Sequence, residues 1–225
     1  MTFSLFEELS GLPAVTYISL GLAAVLVAVL IVALVRARKS QASSSPQKNS
    51  VQALVYGAMC VALSFLLSYL KLFELPQGGS ITVASILPVC LYAHWFGVKK
   101  GLLAGFVFGL LQFLQEPIAV HPVQPFLDYL FAFACLGLAG LFPKSLPLGI
   151  LVGGIGRVLC SWVSGAVFFA EYAPEGMNAW VYSFGYQMIS LGPDALICVV
   201  IALIPAFRRL TERLRPSGAL KLAQA

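Results

Sequence analysis

Charge is scarce in this 225-residue chain: 14 lysines and arginines and 9 aspartates and glutamates make up 10% of it. A soluble globular domain carries roughly 25% charged residues. With 60% hydrophobic residues as well, the composition excludes a soluble globule. Catalytic signatures are missing too. There is no G-x-x-x-x-G-K-[ST] phosphate loop and no G-x-S-x-G elbow, so energy for any transport work must come from an ion gradient or another subunit. The 5 cysteines, Cys60, Cys90, Cys135, Cys160 and Cys198, show no C-x-x-C spacing, which argues against zinc and redox motifs. In lipid they behave as small apolar residues. His94 and His121 are too distant in sequence for a two-histidine helical ligand set. His121 is followed by Pro122 and has no nucleophile motif beside it, which argues against an intramembrane enzyme. No metal or cofactor is expected.

What the chain has in abundance is apolar sequence in runs long enough for a helix to cross a bilayer. The alternation of an outer-membrane barrel strand is absent. The expected fold class is therefore an all-α polytopic membrane protein, with spans at 14–36, 50–73, 81–97, 101–115, 124–142, 147–169 and 180–206. Every second connection is basic: Arg36, Arg38, Lys39 and Lys48, then Lys99 and Lys100, then Lys144, then Arg208, Arg209, Arg213, Arg215 and Lys221. The intervening connections carry Glu74, Glu116, Glu171 and Glu175, with Lys71 as the basic exception. The positive-inside rule then places the N-terminus outside and the C-terminus in the cytoplasm. The net charge of +5 is dispersed over separate loops and reads as a topology signal, not as a nucleic-acid site. Glu7 and Glu8 precede the first span and the basic cluster follows it, as in an N-out anchor and unlike a cleaved signal peptide. The expected organisation is an extra N-terminal transmembrane helix (1–36), a polar Ser-rich cytoplasmic linker (37–50), a six-helix membrane domain (51–207) and a basic cytoplasmic tail (208–225).

Asp128 is the leading functional candidate, because a carboxylate at membrane depth costs about 3 kcal/mol on insertion scales and usually marks a ligand path, a relay or an ion pair. At a rise of about 1.5 Å per residue, it lies near the outer end of the fifth span. Ser161 and Ser164 on the sixth span, and Tyr182, Ser183, Tyr186 and Gln187 on the seventh, fall in the same layer. Ser183, Gln187, Ser190 and Asp194 share one helical stripe, and Gln124 and Asp128 are spaced i, i+4. Such stripes must face protein or a cavity; interhelical hydrogen bonding is the competing explanation. Phe168, Phe169, Tyr172, Trp180, Tyr182 and Tyr186 border the layer, where an interfacial aromatic belt competes with a ligand role. Arg157 and Asp194 fall near mid-bilayer and are expected to form a structural ion pair, leaving Asp128 free to meet a cation. A carboxylate, hydroxyls, amides and rings at one level suit a small, flat, positively charged heteroaromatic molecule.

Three segments, SYLKLFELPQGGSITVASILPV, HPVQPFLDYLFAFACLGLAGLF and SGAVFFAEYAPEGMNAWVYSFGY, resemble the thiamine-specific S-component family of energy-coupling factor transporters, over about residues 50–207. The resemblance implies a substrate-binding subunit of the plasma membrane that captures thiamine outside and works with a transmembrane coupling protein and two cytoplasmic ATPases. It implies no enzymatic activity of its own. By the same resemblance Asp128 takes the acidic ligand position, with Tyr129 beside it, and Tyr182 matches the pocket tyrosine. Pro76, Gln77, Gly78, Gly79 and Ser80 match the lid loop. Ser161 stands where relatives commonly carry His, Gln187 where they carry Asn, and Phe169 where some carry a stacking Trp. Those departures leave a thiamine precursor or related cationic heteroaromatic open as the ligand. Ala58 and Ala62, a small-xxx-small step, match the helix that docks the coupling protein in the family. A proton-coupled secondary transporter using Asp128 and Asp194 as its relay is the alternative from another class, although no inverted repeat is evident.

Overall fold

The computed structural model describes residues 48–75, 79–174 and 176–216. The expected N-terminal span, most of the polar linker, Pro76, Gln77, Gly78 and the end of the basic tail lie outside the described residues. Helix α1 (Lys48–Ser68) buries a narrow stripe containing Ala53, Val61, Ser64 and Ser68, while Leu54, Val55, Met59, Leu63 and Leu66 point outward. One-sided burial with an apolar outer face is the pattern of a helix at the edge of a bundle in lipid. The expected 50–73 span runs past the end of this helix. Lys71–Glu74 is strand β1, paired antiparallel with β2 (Ser80–Thr82), with Glu74 opposite Ser80 and a register irregularity between Lys71 and Phe73. β-branched and aromatic residues favour extended backbone here, and hydropathy alone does not separate this hairpin from the helix before it.

Helix α2 (Leu87–Phe96) corrects a second span. It has 10 residues, begins at Leu87–Pro88 and stops at Gly97, whose φ of 85° is open to glycine without strain. Ten residues rise about 15 Å, half the hydrocarbon thickness of about 30 Å. The 81–97 stretch is apolar because α2 is the buried centre of the bundle: Val89, Cys90 and Ala93 have no exposed surface. Hydropathy reports burial without saying whether lipid or protein does the burying.

Around α2 stand α3 (Val98–Gln115), α4 (Phe126–Leu141), α5 (Leu146–Phe168) and α6 (Ala179–Leu203). Among the described residues, α1, α3, α5 and α6 contain the four stretches long and apolar enough to cross a membrane. Helix α3 lies against the α4 backbone at Gly105 and Gly109: a Cβ at these positions would stand 2.3 Å from the Phe133 carbonyl oxygen and 2.2 Å from that of Tyr129. Helix α4 changes pitch along its length, from a π-helix at Phe126–Phe131, through an α-turn at Ala132–Ala134, to a 3-10 helix at Cys135–Leu141. Widened turns of this kind recur at functional sites because they re-aim side chains. Asp128 and Tyr129 sit on the wide turn. Helices α5 and α6 pack side by side and are tied by Trp162 Nε1 donating to the Trp180 carbonyl (2.8 Å) and Ser183 Oγ donating to the Trp162 carbonyl (2.9 Å). Asn178 caps α6 by accepting from the Trp180 amide at 2.9 Å. The last expected span stops early, at Leu203. Ile204 breaks the helix and α7 (Pro205–Leu214) follows, with Arg208, Arg209 and Arg213 exposed on it.

Candidate functional site

A cavity open to the outside lies between strand β2 and helices α3 to α6. Gln124, Asp128, Tyr129, Ser161, Phe169, Tyr182, Tyr186 and Gln187, the ligand-contact candidates of the sequence, all line it. Gly79 and Ser80 form its hairpin side.

The carboxylate of Asp128 is held from two directions. Gln124 Nε2 and Ser164 Oγ both donate to its Oδ2 at 2.7 Å. Ser164 is fully buried and Gln124 is 2% exposed, its own Oε1 accepting from the Val120 amide at 3.1 Å. Two donors on one oxygen fix the plane of the carboxylate and stabilise its ionised form. On α6, Gln187 Nε2 donates to the Ser161 carbonyl at 3.2 Å, and Tyr186 OH accepts from the Gly79 amide at 3.3 Å. The rings of Tyr182 and Tyr186 lie 6.4 Å apart, tilted by 34°. Tyr129 OH donates to the Glu116 carbonyl at 2.7 Å. The Glu116 carboxylate lines the cavity and is paired with Lys71 of β1, which also meets Glu74 at 3.2 Å.

Asp194 and Arg157 make no direct ion-pair contact among the described residues, although their buried charges still attract one another. Asp194 accepts instead from the Ser85 amide at Oδ1 and from Ser85 Oγ at Oδ2, both at 3.0 Å. Arg157 is in the cavity wall with its guanidinium 4.1 Å from the Phe133 ring centre. The physical reason is that local donors satisfy Asp194, and a guanidinium is accommodated on an aromatic face beside a polar cavity. Equal depth along two helices carries no information about azimuth, so the pairing was not determined by residue count.

Other members of the layer separate as well. Phe168 stacks with His121 (5.1 Å), Trp180 meets Trp162 edge-on (5.6 Å) and Tyr172 is exposed, so none of these three rings lines the cavity. Ala58 and Ala62 are exposed on the outer face of α1. Glu116 and Gln112 line the cavity although sequence reading gave Glu116 only a topological role; their i, i+4 spacing at the end of α3 was the available signal. Gly165 lines it too, and a Cβ there would lie 2.2 Å from Ser183 Oγ. The site thus combines two carboxylates, one guanidinium, three amides and a set of rings. That inventory can stack a flat heteroaromatic ring, balance a positive charge and hydrogen-bond ring nitrogens.

Residues 54–212 match the family described as Thiamine transporter protein (Thia_YuaJ). Thiamine transporter ThiT of Bacillus subtilis (strain 168) is 32% identical over 174 residues, covering 69% of this chain and 90% of that protein. Thiamine transporter ThiT of Lacticaseibacillus paracasei is 30% identical over 139 residues, covering 53% of this chain and 67% of that protein. A solved structure of ThiT from Listeria monocytogenes shares the fold, with a TM-score of 0.59 at 22% identity over 77% of this chain and 99% of that one. Together with the four membrane-length helices, these relatives make the chain a multi-pass protein of the cell membrane.

Proposed function

Because the chain belongs to the thiamine transporter protein family, we propose that it is the thiamine-binding membrane subunit, the S-component, of an energy-coupling factor importer. It takes up thiamine from outside the cell and passes it inward together with a transmembrane coupling protein and two ATPases. The observation that carries this reading is the doubly braced Asp128 carboxylate in a cavity also lined by aromatic rings and amides. Thiamine presents a thiazolium cation, an aminopyrimidine and a hydroxyethyl group. Asp128 balances the cation, Phe169, Tyr182 and Tyr186 supply ring faces, and Gln187 and Ser161 meet the pyrimidine. Arg157, lining the same cavity, donates to the hydroxyl end. The shorter Ser161, where relatives commonly carry His, is served by a bridging water or a shifted neighbour.

In this reading the cavity end of the bundle faces outside and α7 with the basic tail faces the cytoplasm, in line with the positive-inside rule. The small residues Ala58 and Ala62, exposed on α1, form the face that meets the coupling protein. The test is thiamine uptake by vesicles holding the purified chain, alone or with coupling protein and ATPases. ATP-dependent uptake only with the added subunits supports the proposal. Uptake by the chain alone, driven by a proton gradient, would replace it with a secondary transporter.

A further inference from the structure

Asp194 is 2% exposed, does not line the cavity and makes no direct ion-pair contact among the described residues, and both of its oxygens are used. They bind one residue, Ser85, through its amide and its hydroxyl. Ser85 Oγ in turn accepts from Thr82 Oγ1 at 2.9 Å, so the carboxylate holds the end of strand β2 through a two-step relay. Between Thr82 and Ser85 lies Ala84 at φ 56°, the only non-glycine residue with positive φ among the described residues. An L-residue holds that left-handed conformation only where its surroundings impose it. The Asp194 clasp on the next residue is such a constraint.

The same strand reaches α6 again at its other end. Gly79 donates its amide to Tyr186 OH, and a Cβ on Gly79 would stand 2.6 Å from Ser190 Oγ. The backbone at Gly79 is therefore seated directly on α6, where a side chain would make Ser190 Oγ turn away. Ser190 and Asp194 are one turn apart on the same helix face. Strand β2 is thus fixed to α6 at two heights: at the cavity, where Gly79 and Ser80 form part of the wall, and below it, at Asp194.

We propose that Asp194 is a positioning residue for ligand binding, setting through Ser85 and Thr82 the placement of strand β2 and hence of the Gly79–Ser80 wall. It acts without touching the ligand. The inference rests on the thiamine-binding reading for its affinity arm but not for its structural arm.

The experiment compares wild type, Asp194→Asn, Ser85→Ala and the double variant, each purified and folded by size exclusion. Backbone hydrogen exchange of residues 79–85 is measured without ligand. Binding is measured with thiamine and with deazathiamine, whose ring is uncharged. Both substitutions should raise exchange at 79–85 and leave α5 unchanged. Each should weaken both ligands by a similar factor, about tenfold, the size of one charge-assisted hydrogen bond. The double variant should lose little more than either single one, because the two residues form one unit. Unchanged exchange with unchanged affinity overturns the inference and leaves Asp194 a stabiliser of the bundle. A loss confined to thiamine also overturns it, since that marks Asp194 as a direct charge partner. If Asp194→Asn does not fold, Ser85→Ala alone decides between these outcomes. If wild type binds neither ligand, the thiamine reading fails while the exchange data still decide the anchor.

Discussion

At Asp128 a single oxygen accepts from both Gln124 and Ser164, and the second donor comes from a helix that sequence spacing alone does not bring near. Replacing Asp128 with Asn removes the charge but keeps the shape. Calorimetry should show thiamine affinity falling by about 3 kcal/mol or roughly a hundredfold, as for one partner removed from a buried charge pair, and a far smaller loss for deazathiamine. Equal losses for both ligands would reduce Asp128 to a structural role. Arg157 lines the cavity over Phe133 without touching Asp194, yet its positive charge still offsets the buried carboxylates of Asp194 and Asp128. In Arg157→Gln the thermal unfolding temperature should fall, because two buried carboxylates lose their compensating charge, while thiamine binding weakens about tenfold for the lost charge-assisted bond. A drop in stability without a drop in affinity would contradict that assignment. The cavity-lining group was largely legible from sequence because helical period and depth fix which residues share a level. Which neighbour each one meets was not, since azimuth depends on how the helices are rotated: Arg157 and Asp194 share a depth but face different partners.

Elements carry a different kind of information. The long apolar helices α1, α3, α5 and α6 were legible because lipid imposes a length and a composition. The short α2 was misread as a full span, since a helix buried in protein and one buried in lipid look alike to hydropathy. Strand β1 was merged with α1 and most of β2 with the span of α2 for the same reason, and the wide turn holding Asp128 left no signature in the residue pattern. That π-helical turn is pressed against α3 through Gly109, where an added Cβ would meet the Tyr129 carbonyl at 2.2 Å. Gly109→Ala must therefore push α3 away from the turn. Thermal unfolding should register a loss of about 1–3 kcal/mol, the usual cost of overpacking, and thiamine affinity should fall with it because Asp128 and Tyr129 move together. An affinity and stability equal to wild type would mean that the site does not depend on the α3 contact.

For the whole molecule, the proposed orientation rests on the charge pattern. With the hairpin end outside, a single cysteine placed at Ala173 should react with an impermeant maleimide in intact cells, whereas one at Glu212 on α7 should react only after the membrane is opened; the reverse pattern would invert the topology. The outer face of α1, with Leu54, Met59, Leu63 and Leu66 exposed beside Ala58 and Ala62, is apolar enough for lipid or for a coupling subunit, and sequence period does not separate the two. Binding is the property on which the rest depends. Titration of the detergent-purified chain with thiamine, followed by tryptophan fluorescence and calorimetry with pyridoxine and riboflavin as controls, tests it most directly. Saturable, selective thiamine binding at one site per chain is the predicted result, and no thiamine binding by a folded sample would contradict it.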